Sequence, residues 1–390
     1  MSNGCTQDDA KVLVDLRRIS PDYLQKTWKK LQRSSDLRRV GLLEGLIVDE
    51  ESGRVKKLDL YKKGLAGEIP TSIGELRMLT SLQLSRNDLS GRIPDSLGQL
   101  QSLQELYLYR NELEGSIPAC ICELKGLKEL SIHSNSFTGA IPDFTGLPKL
   151  RTLNLANNAL KGEMPLSLIR LKISGCKVFT AKNELRLPSN IGLLGDAVEV
   201  LDLSECGLSG PVPESLGQCC GLKELYLNDN QLSGELPQAL SGLVKLSFLD
   251  ASCNSLTGVV PPLSSELVEL NLADNNLSGS LGRIGSSTCL PKLASLDVSN
   301  NSALTGQLEP AFLRTCKGCR VAGCAPELEA QAPAPVYAVD LPPIGTGGIE
   351  GALEGKADAP APWFGEDPVA DRGSGVQTPS LLSCSCCTIV

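Results

Sequence analysis

The last four residues, Cys387-Thr388-Ile389-Val390, have the form of a C-a-a-X box, in which the cysteine thiolate is the nucleophile that takes a prenyl group. Cys384 and Cys386, just upstream, are placed for palmitoylation. One prenyl chain holds a protein on a bilayer only marginally, so stable residence needs a second signal. The nearest base before the box is Arg372, which leaves those two cysteines to supply it. Three adjacent thiols without a histidine or fourth cysteine make a poor zinc site. A second thiol group, Cys316, Cys319 and Cys324 in "CKGCRVAGC", also lacks a fourth ligand and reads as part of a closing cap. Neither a metal nor a cofactor is expected.

His133 is the only histidine in 390 residues. There is no acid–base pair of the usual kind, no glycine-rich phosphate loop and no nucleophile beside a base. The sequence therefore reads as a non-enzyme. A net charge of -8 argues against binding nucleic acid through the overall field. The opening "MSNGCTQDDAKVLVD" has neither a basic start nor an apolar run of secretory length, and no stretch reaches the ~20 apolar residues of a membrane span. Ser2 in place of glycine rules out N-myristoylation. These features place the chain in the cytoplasm, at the cytosolic face of a membrane once its tail is lipidated. Reduced thiols follow, so the 15 cysteines should mostly act as small buried apolar residues.

The elements that carry everything else come from one repeat. Val55, Leu79, Leu103 and Leu127 recur at a strict spacing of 24 residues. The second unit, "LTSLQLSRNDLSGRIPDSLGQLQS", shows the whole pattern, and about eleven units run over residues 55–312, one of them degenerate around Gly175 to Pro188. In L-x-x-L-x-L the leucines alternate, so a short strand turns them to one side and the intervening residues to the other. One unit cannot bury that apolar side, so neighbours must stack, with the strands forming a parallel sheet. The turn after each strand leaves backbone groups unpartnered, and a side-chain amide can both donate and accept. Asn87, Asn111, Asn135, Asn158, Asn230, Asn254, Asn275 and Asn301 occupy that turn and should form a buried ladder. Lys63 holds the position in the first unit, at an end expected to be wet, and Cys206 in the seventh. The glycine that follows allows a tight turn, and Ile-Pro starts an extended outer segment.

These L-x-G-x-I-P units resemble the plant-type class of leucine-rich repeat proteins over about two thirds of the chain. The resemblance implies a leucine-rich repeat solenoid of horseshoe form, with a parallel sheet on the concave face and an irregular or 3-10 convex side. Residues 1–54 are similar to the helical N-terminal cap of such proteins, with a helix near Asp9 to Ile19, then Trp28 and "GLIVDEESGRVKKLDL". The cysteine pair of the secreted plant cap is missing, and no kinase signature follows. Residues 313–324 are expected to close the array. Residues 325–383, rich in proline, glycine and acids, are expected to be a disordered linker before the lipidation motif at 384–390, because they cannot bury enough apolar surface to offset ordering.

The concave face then offers a long surface whose side chains can vary without disturbing the core. Its outward positions carry Tyr61, Lys62, Arg86, Tyr107, Tyr109, Arg110 and His133 in the first four units, and Asp202, Glu205, Glu224, Tyr226, Asp229, Asp250, Asp274 and Asp297 from the seventh on. Tyrosine and arginine are enriched at binding hot spots, which makes the first group the expected site for a protein partner. The reading is a non-catalytic interaction scaffold held at a membrane by lipids. The alternative is an extracellular recognition protein whose signal peptide is missing from this chain, supported by the sequons Asn276-Leu277-Ser278 and Asn300-Asn301-Ser302.

Overall fold

A computed structural model describes residues 4–20, 23–28, 44–282 and 284–329. The expected leucine-rich repeat solenoid is what these residues form. Inner strands three to five residues long recur from Val55–Asp59 onward, and each is followed by a turn, an outer strand and, in most units, a short 3-10 helix. In the second unit Leu79, Leu82, Leu84, Leu89, Ile93, Leu97 and Leu100 are all buried, which accounts for the repeat's apolar positions. Gly91 carries a φ of 71°, and a Cβ there would stand 2.9 Å from Cγ of Glu68 in the preceding unit. The tight turn therefore requires both the left-handed backbone and the missing side chain.

The asparagine ladder clamps each turn to the unit before it. Nδ2 of Asn87 donates to the carbonyls of Leu60 and Leu84, each at 2.9 Å. Its Oδ1 accepts from the amides of Lys63 at 2.9 Å and Leu65 at 3.1 Å. Asn111, Asn135, Asn158, Asn230, Asn254, Asn275 and Asn301 repeat the pattern, as does Asn183 in the degenerate unit. One residue earlier a second column runs beside the ladder, in which Lys62, Arg86, Arg110, Ser134, Asn157, Lys182, Glu205, Asp229, Cys253, Asp274 and Asn300 all adopt positive φ.

The first unit is covered, not open. Helix α1, Gly4–Arg18, and α2, Tyr23–Thr27, precede a strand, Leu46–Val48, that pairs antiparallel with the first inner strand. Lys63, expected at a wet end, donates to Glu44 at 2.9 Å and lies over the Tyr23 ring at 4.3 Å. Asp9, fully buried, accepts from Nε of Arg54 at 2.8 Å and from the amide of Val55 at 2.7 Å. That ion pair ties α1 to the array.

Two features depart from a single uniform sheet. The outer strands form one continuous sheet of eleven, but the inner strands form two, broken between Lys177–Phe179 and Val200–Asp202. In the fifth unit the short 3-10 helix is replaced by α3, Leu166–Ile173, which leads into the last inner strand before the break. At the other end the segment expected to be a cap begins with α4, Pro310–Thr315, and supplies a twelfth inner strand, Gly318–Arg320. Cys324 then stands at the ladder position, its thiol donating to the Val298 carbonyl at 3.1 Å. A last helix, α5, Pro326–Glu329, buries Leu328, so the folded part runs past the expected start of the linker. The rest of that segment, with Cys384, Cys386 and Cys387, lies outside the described residues.

Replacing Asn87 by Ala removes two donors' acceptor and two carbonyls' donor at once. The Leu84 carbonyl keeps Asn111 as a donor, and at about 1–3 kcal/mol for each of the other three groups left unpaired the expected loss is about 3 kcal/mol or more. Urea unfolding of this variant beside the exposed Lys161→Ala measures it, and a loss no larger than that of Lys161→Ala contradicts the ladder's role.

Candidate functional site on the strand face

The strand positions that face away from the leucines set up the site. Tyr107 and Tyr109 flank inward-turned Leu108, so the two-residue period places both rings on one face. His133 is one unit on from Tyr109, and their rings stack with centroids 4.7 Å apart and planes within 9°. One unit back, Cζ of Arg86 lies 5.8 Å from the Tyr61 ring centroid, a cation–π contact. The Tyr107 hydroxyl donates to Oε2 of Glu129 on the neighbouring strand. Burial raises the Tyr107 hydroxyl pKa, and the Glu129 carboxylate adds to the rise. Tyr109 is likewise raised by burial, with Arg86 and Arg110 near enough to oppose the shift. Tyr61, Arg86, Tyr107, Tyr109 and His133 thus form one half-buried belt, and Lys62 and Arg110 stand exposed beside it in the left-handed column.

Glu129 and Glu105 belong to this end as well, so it is less uniformly basic than the sequence suggested. Both occupy outward strand positions, Tyr107 meets the first, and the alternation of the strands would have found them.

The acidic end has a different explanation. Oδ1 of Asp202 accepts from the amide and the hydroxyl of Ser204 at 3.0 and 2.6 Å. Asp250 with Ser252 and Asp297 with Ser299 repeat this at nearly the same distances. In the early units Asp59 and Gln83 serve the same turn, accepting from the amides two residues on, each at 3.0 Å. Much of the acidic column is therefore turn chemistry, an Asx-type cap that local physics demands. Tyr107 occupies the same column and cannot accept in that way. Tyr226 departs too: it donates to Glu224 at 3.0 Å and packs on Phe248 at 4.7 Å between centroids.

The cysteines vary in environment. Among the eleven whose surroundings are described, Cys176, Cys206, Cys219, Cys316 and Cys324 are buried, Cys289 is exposed, and the others are half-buried. No group of three or more potential ligands is arranged to hold a metal ion among the described residues.

Comparison with known proteins identifies the repeat. Residues 77–137 match the family model described as Leucine rich repeat, and residues 149–171, 197–219 and 221–243 match a second, described as Leucine Rich Repeat. The chain carries leucine-rich repeats. No curated protein matches the chain. Among solved structures, it is similar to the leucine-rich repeat ectodomain of the plant membrane receptor kinase GASSHO1/SCHENGEN3 from Arabidopsis thaliana, in complex with CASPARIAN STRIP INTEGRITY FACTOR 2. The identity there is 30%, over 69% of this chain and 38% of that one, with a TM-score of 0.42. The plant peptide hormone receptor RGFR1 in complex with RGF2 is 32% identical over 66% of this chain and 45% of that one, with a TM-score of 0.44. The BIR2 ectodomain from Arabidopsis thaliana is 31% identical over 46% of this chain and 94% of that one, with a TM-score of 0.41. The leucine-rich repeat chain spans less than half the length of the first receptor structures it matches.

His133 offers a direct probe of the site. Burial lowers its pKa from an ordinary value near 6.5 to about 4, and the Arg110 guanidinium pushes the same way. The folded state thus keeps the ring neutral where the unfolded chain would protonate it. The ring's contribution to stability is complete above about 6.5 and is lost as the pH falls from there through about 4. NMR titration of the single histidine should give a midpoint near 4. Arg110→Ala should raise the midpoint while leaving it below the ordinary value, because burial is the larger cause. A midpoint near 6.5 in the folded wild type would contradict the half-buried stack.

Proposed function

We propose that the chain is a non-catalytic recognition module that takes a segment of a protein partner on its strand face, centred on Tyr61, Lys62, Arg86, Tyr107, Tyr109, Arg110 and His133. The observation that carries this reading is Tyr107. Its column caps the following turn in units one, two, five, seven, nine, ten and eleven, through Asp59, Gln83, Asn154, Asp202, Asp250, Asn271 and Asp297. In the third unit that local role is given up for a ring beside Tyr109, Arg86 and Arg110, side chains suited to a binding hot spot. The partner is a protein or peptide; nucleic acid does not suit the charge, and the reading requires neither metal nor cofactor.

The working location follows from the tail. Lipidation of Cys387, with Cys386 and Cys384 as the second signal, would hold the module at the cytosolic face of a membrane. No helix among the described residues is long and apolar enough to cross a bilayer. A second reading, recognition outside the cell, is favoured by Asn276, the sequon asparagine that stands exposed at the start of the outer strand Asn276–Ser280.

The Tyr107→Ala, Tyr109→Ala, Arg110→Ala triple variant should lose partner capture from native extract, while Glu224→Ala with Asp274→Ala keeps it. Equal loss from both ends would sink the local site. Intact mass of the native protein beside Cys387→Ser decides the location: a prenyl-sized increment lost in the variant supports the anchor, and a glycan places the module outside.

A further inference from the structure

Among the first eleven units a junction is ordinarily clamped in three places: the inner strand ladder, the asparagine amide and the outer strand. Between the sixth and seventh units only the outer of these three remains intact, beside bonds away from the inner strands from the Ser215 hydroxyl to the Ser189 carbonyl at 2.6 Å and from the Cys219 thiol to the Ile191 carbonyl at 3.6 Å. The inner strands Lys177–Phe179 and Val200–Asp202 fall in separate sheets. In the unit before, the amides of Leu155 and Asn157 donate to the carbonyls of Phe179 and Ala181, each at 2.8 Å. In the unit after, Leu203 and Glu205 donate to Tyr226 and Asn228 at 2.9 and 3.1 Å. The corresponding amides of Thr180 and Lys182 make no backbone bond to the seventh unit among the described residues.

The ladder fails at the same junction, because Cys206 has no amide with which to bridge the two turns. What remains there is a single bond from the Thr180 hydroxyl to the Cys206 carbonyl at 3.0 Å. Lys172 on α3 reaches across as well, its Nζ 3.5 Å from the Cys206 thiol and 3.7 Å from Oδ1 of Asp202. The outer sheet is unbroken, with Leu185 opposite Leu208, Arg186 opposite Ser209, and the Ser209 hydroxyl on the Leu185 carbonyl at 3.0 Å. Apolar side chains border the gap on both sides: Phe179 is 47% exposed and Val200 46%.

We propose that the junction between the sixth and seventh units is a hinge, at which the strand face opens and closes about the continuous outer sheet. In the closed form the inner strands pair, the Thr180 and Lys182 amides take the Asp202 and Ser204 carbonyls, and the half carrying the tyrosine belt moves against the half carrying the aspartate caps. The Lys172–Asp202 contact, partly exposed, is the weak latch between them. The hinge stands on the backbone alone and does not depend on the proposed binding site.

Amide exchange and a label distance test it together on the full chain. Thr180 and Lys182 should exchange on the order of 10-fold or more faster than Leu155, Asn157, Leu203 and Glu205. Cys206→Asn, which restores the ladder, should slow them to the rates of those neighbours. Spin-labelled unnatural residues at Arg151 and Lys223, both exposed and on either side of the gap, should give a broad distance distribution that narrows in Cys206→Asn. Should that variant not fold, the wild-type width is compared with that of a Lys56–Arg151 pair, which spans no break and should be narrower. Equal exchange at all six amides overturns the hinge. So does fast exchange with a distribution no wider across the gap than within the first five units, which would describe a fixed opening.

Discussion

Each coil of this molecule has to turn a corner beneath its own strand, and the backbone groups left unpaired at that corner must find partners out of reach of water. A carboxamide answers this with one side chain, since it donates to carbonyls and accepts from amides together. Nδ2 of Asn254, for example, takes the Leu227 and Ala251 carbonyls while its Oδ1 takes the Leu232 amide. The groups it satisfies belong to the preceding unit as well as its own. The ladder therefore fixes the spacing of the units, while the turn itself holds the residue before it in the left-handed region, as it does at Lys62 and Glu205 where no amide follows.

Where the ladder stops, other chemistry takes over. At the first unit Lys63 turns to Glu44 and Tyr23 of the cap, and the buried Asp9–Arg54 pair holds α1 in place. At the last unit the Cys324 thiol makes the backward bond, and α5 packs its buried Leu328 into that end of the array. Both ends are closed by structure. Cys206 is the third exception, and it is the interior one. It lies buried within the array, with the Thr180 hydroxyl on its carbonyl and the Lys172 ammonium beside its thiol, so the same residue type marks an end in one place and a break between inner strands in the other.

The period, the ladder and the leucine core were legible from the sequence, because each follows from spacing and from the unique capacity of an amide. The helical cap was legible too, with α1 beginning a few residues earlier than its apolar pattern indicated. The break was not, because residues 175–188 still carry Asn183-Glu184-Leu185 and a local pattern cannot report whether two strands meet. Nor was the division of the face into belt and caps. Asp202, Asp250 and Asp297 look like surface charge in sequence, and only the serine two residues on shows that they complete a turn. Tyr107 and Tyr109 stand out in sequence by type, but the stack of Tyr109 on His133 and the bond from Tyr107 to Glu129 depend on neighbouring strands being in register.

The same constraint separates what the chain must keep from what it is free to use. Ladder and cap positions serve the fold, while the belt from Tyr61 to His133 makes no turn cap and is the face we propose for a partner. A set of single alanine substitutions at Asn87, Asn111, Asn254, Tyr107, Tyr109 and Arg110, read for both melting temperature and capture of the partner, tests this division directly. The asparagine variants should lose stability, while the tyrosine and arginine variants should lose capture with melting temperatures close to wild type. If the belt variants melted as low as the ladder variants, the belt would be part of the scaffold and the division would be wrong.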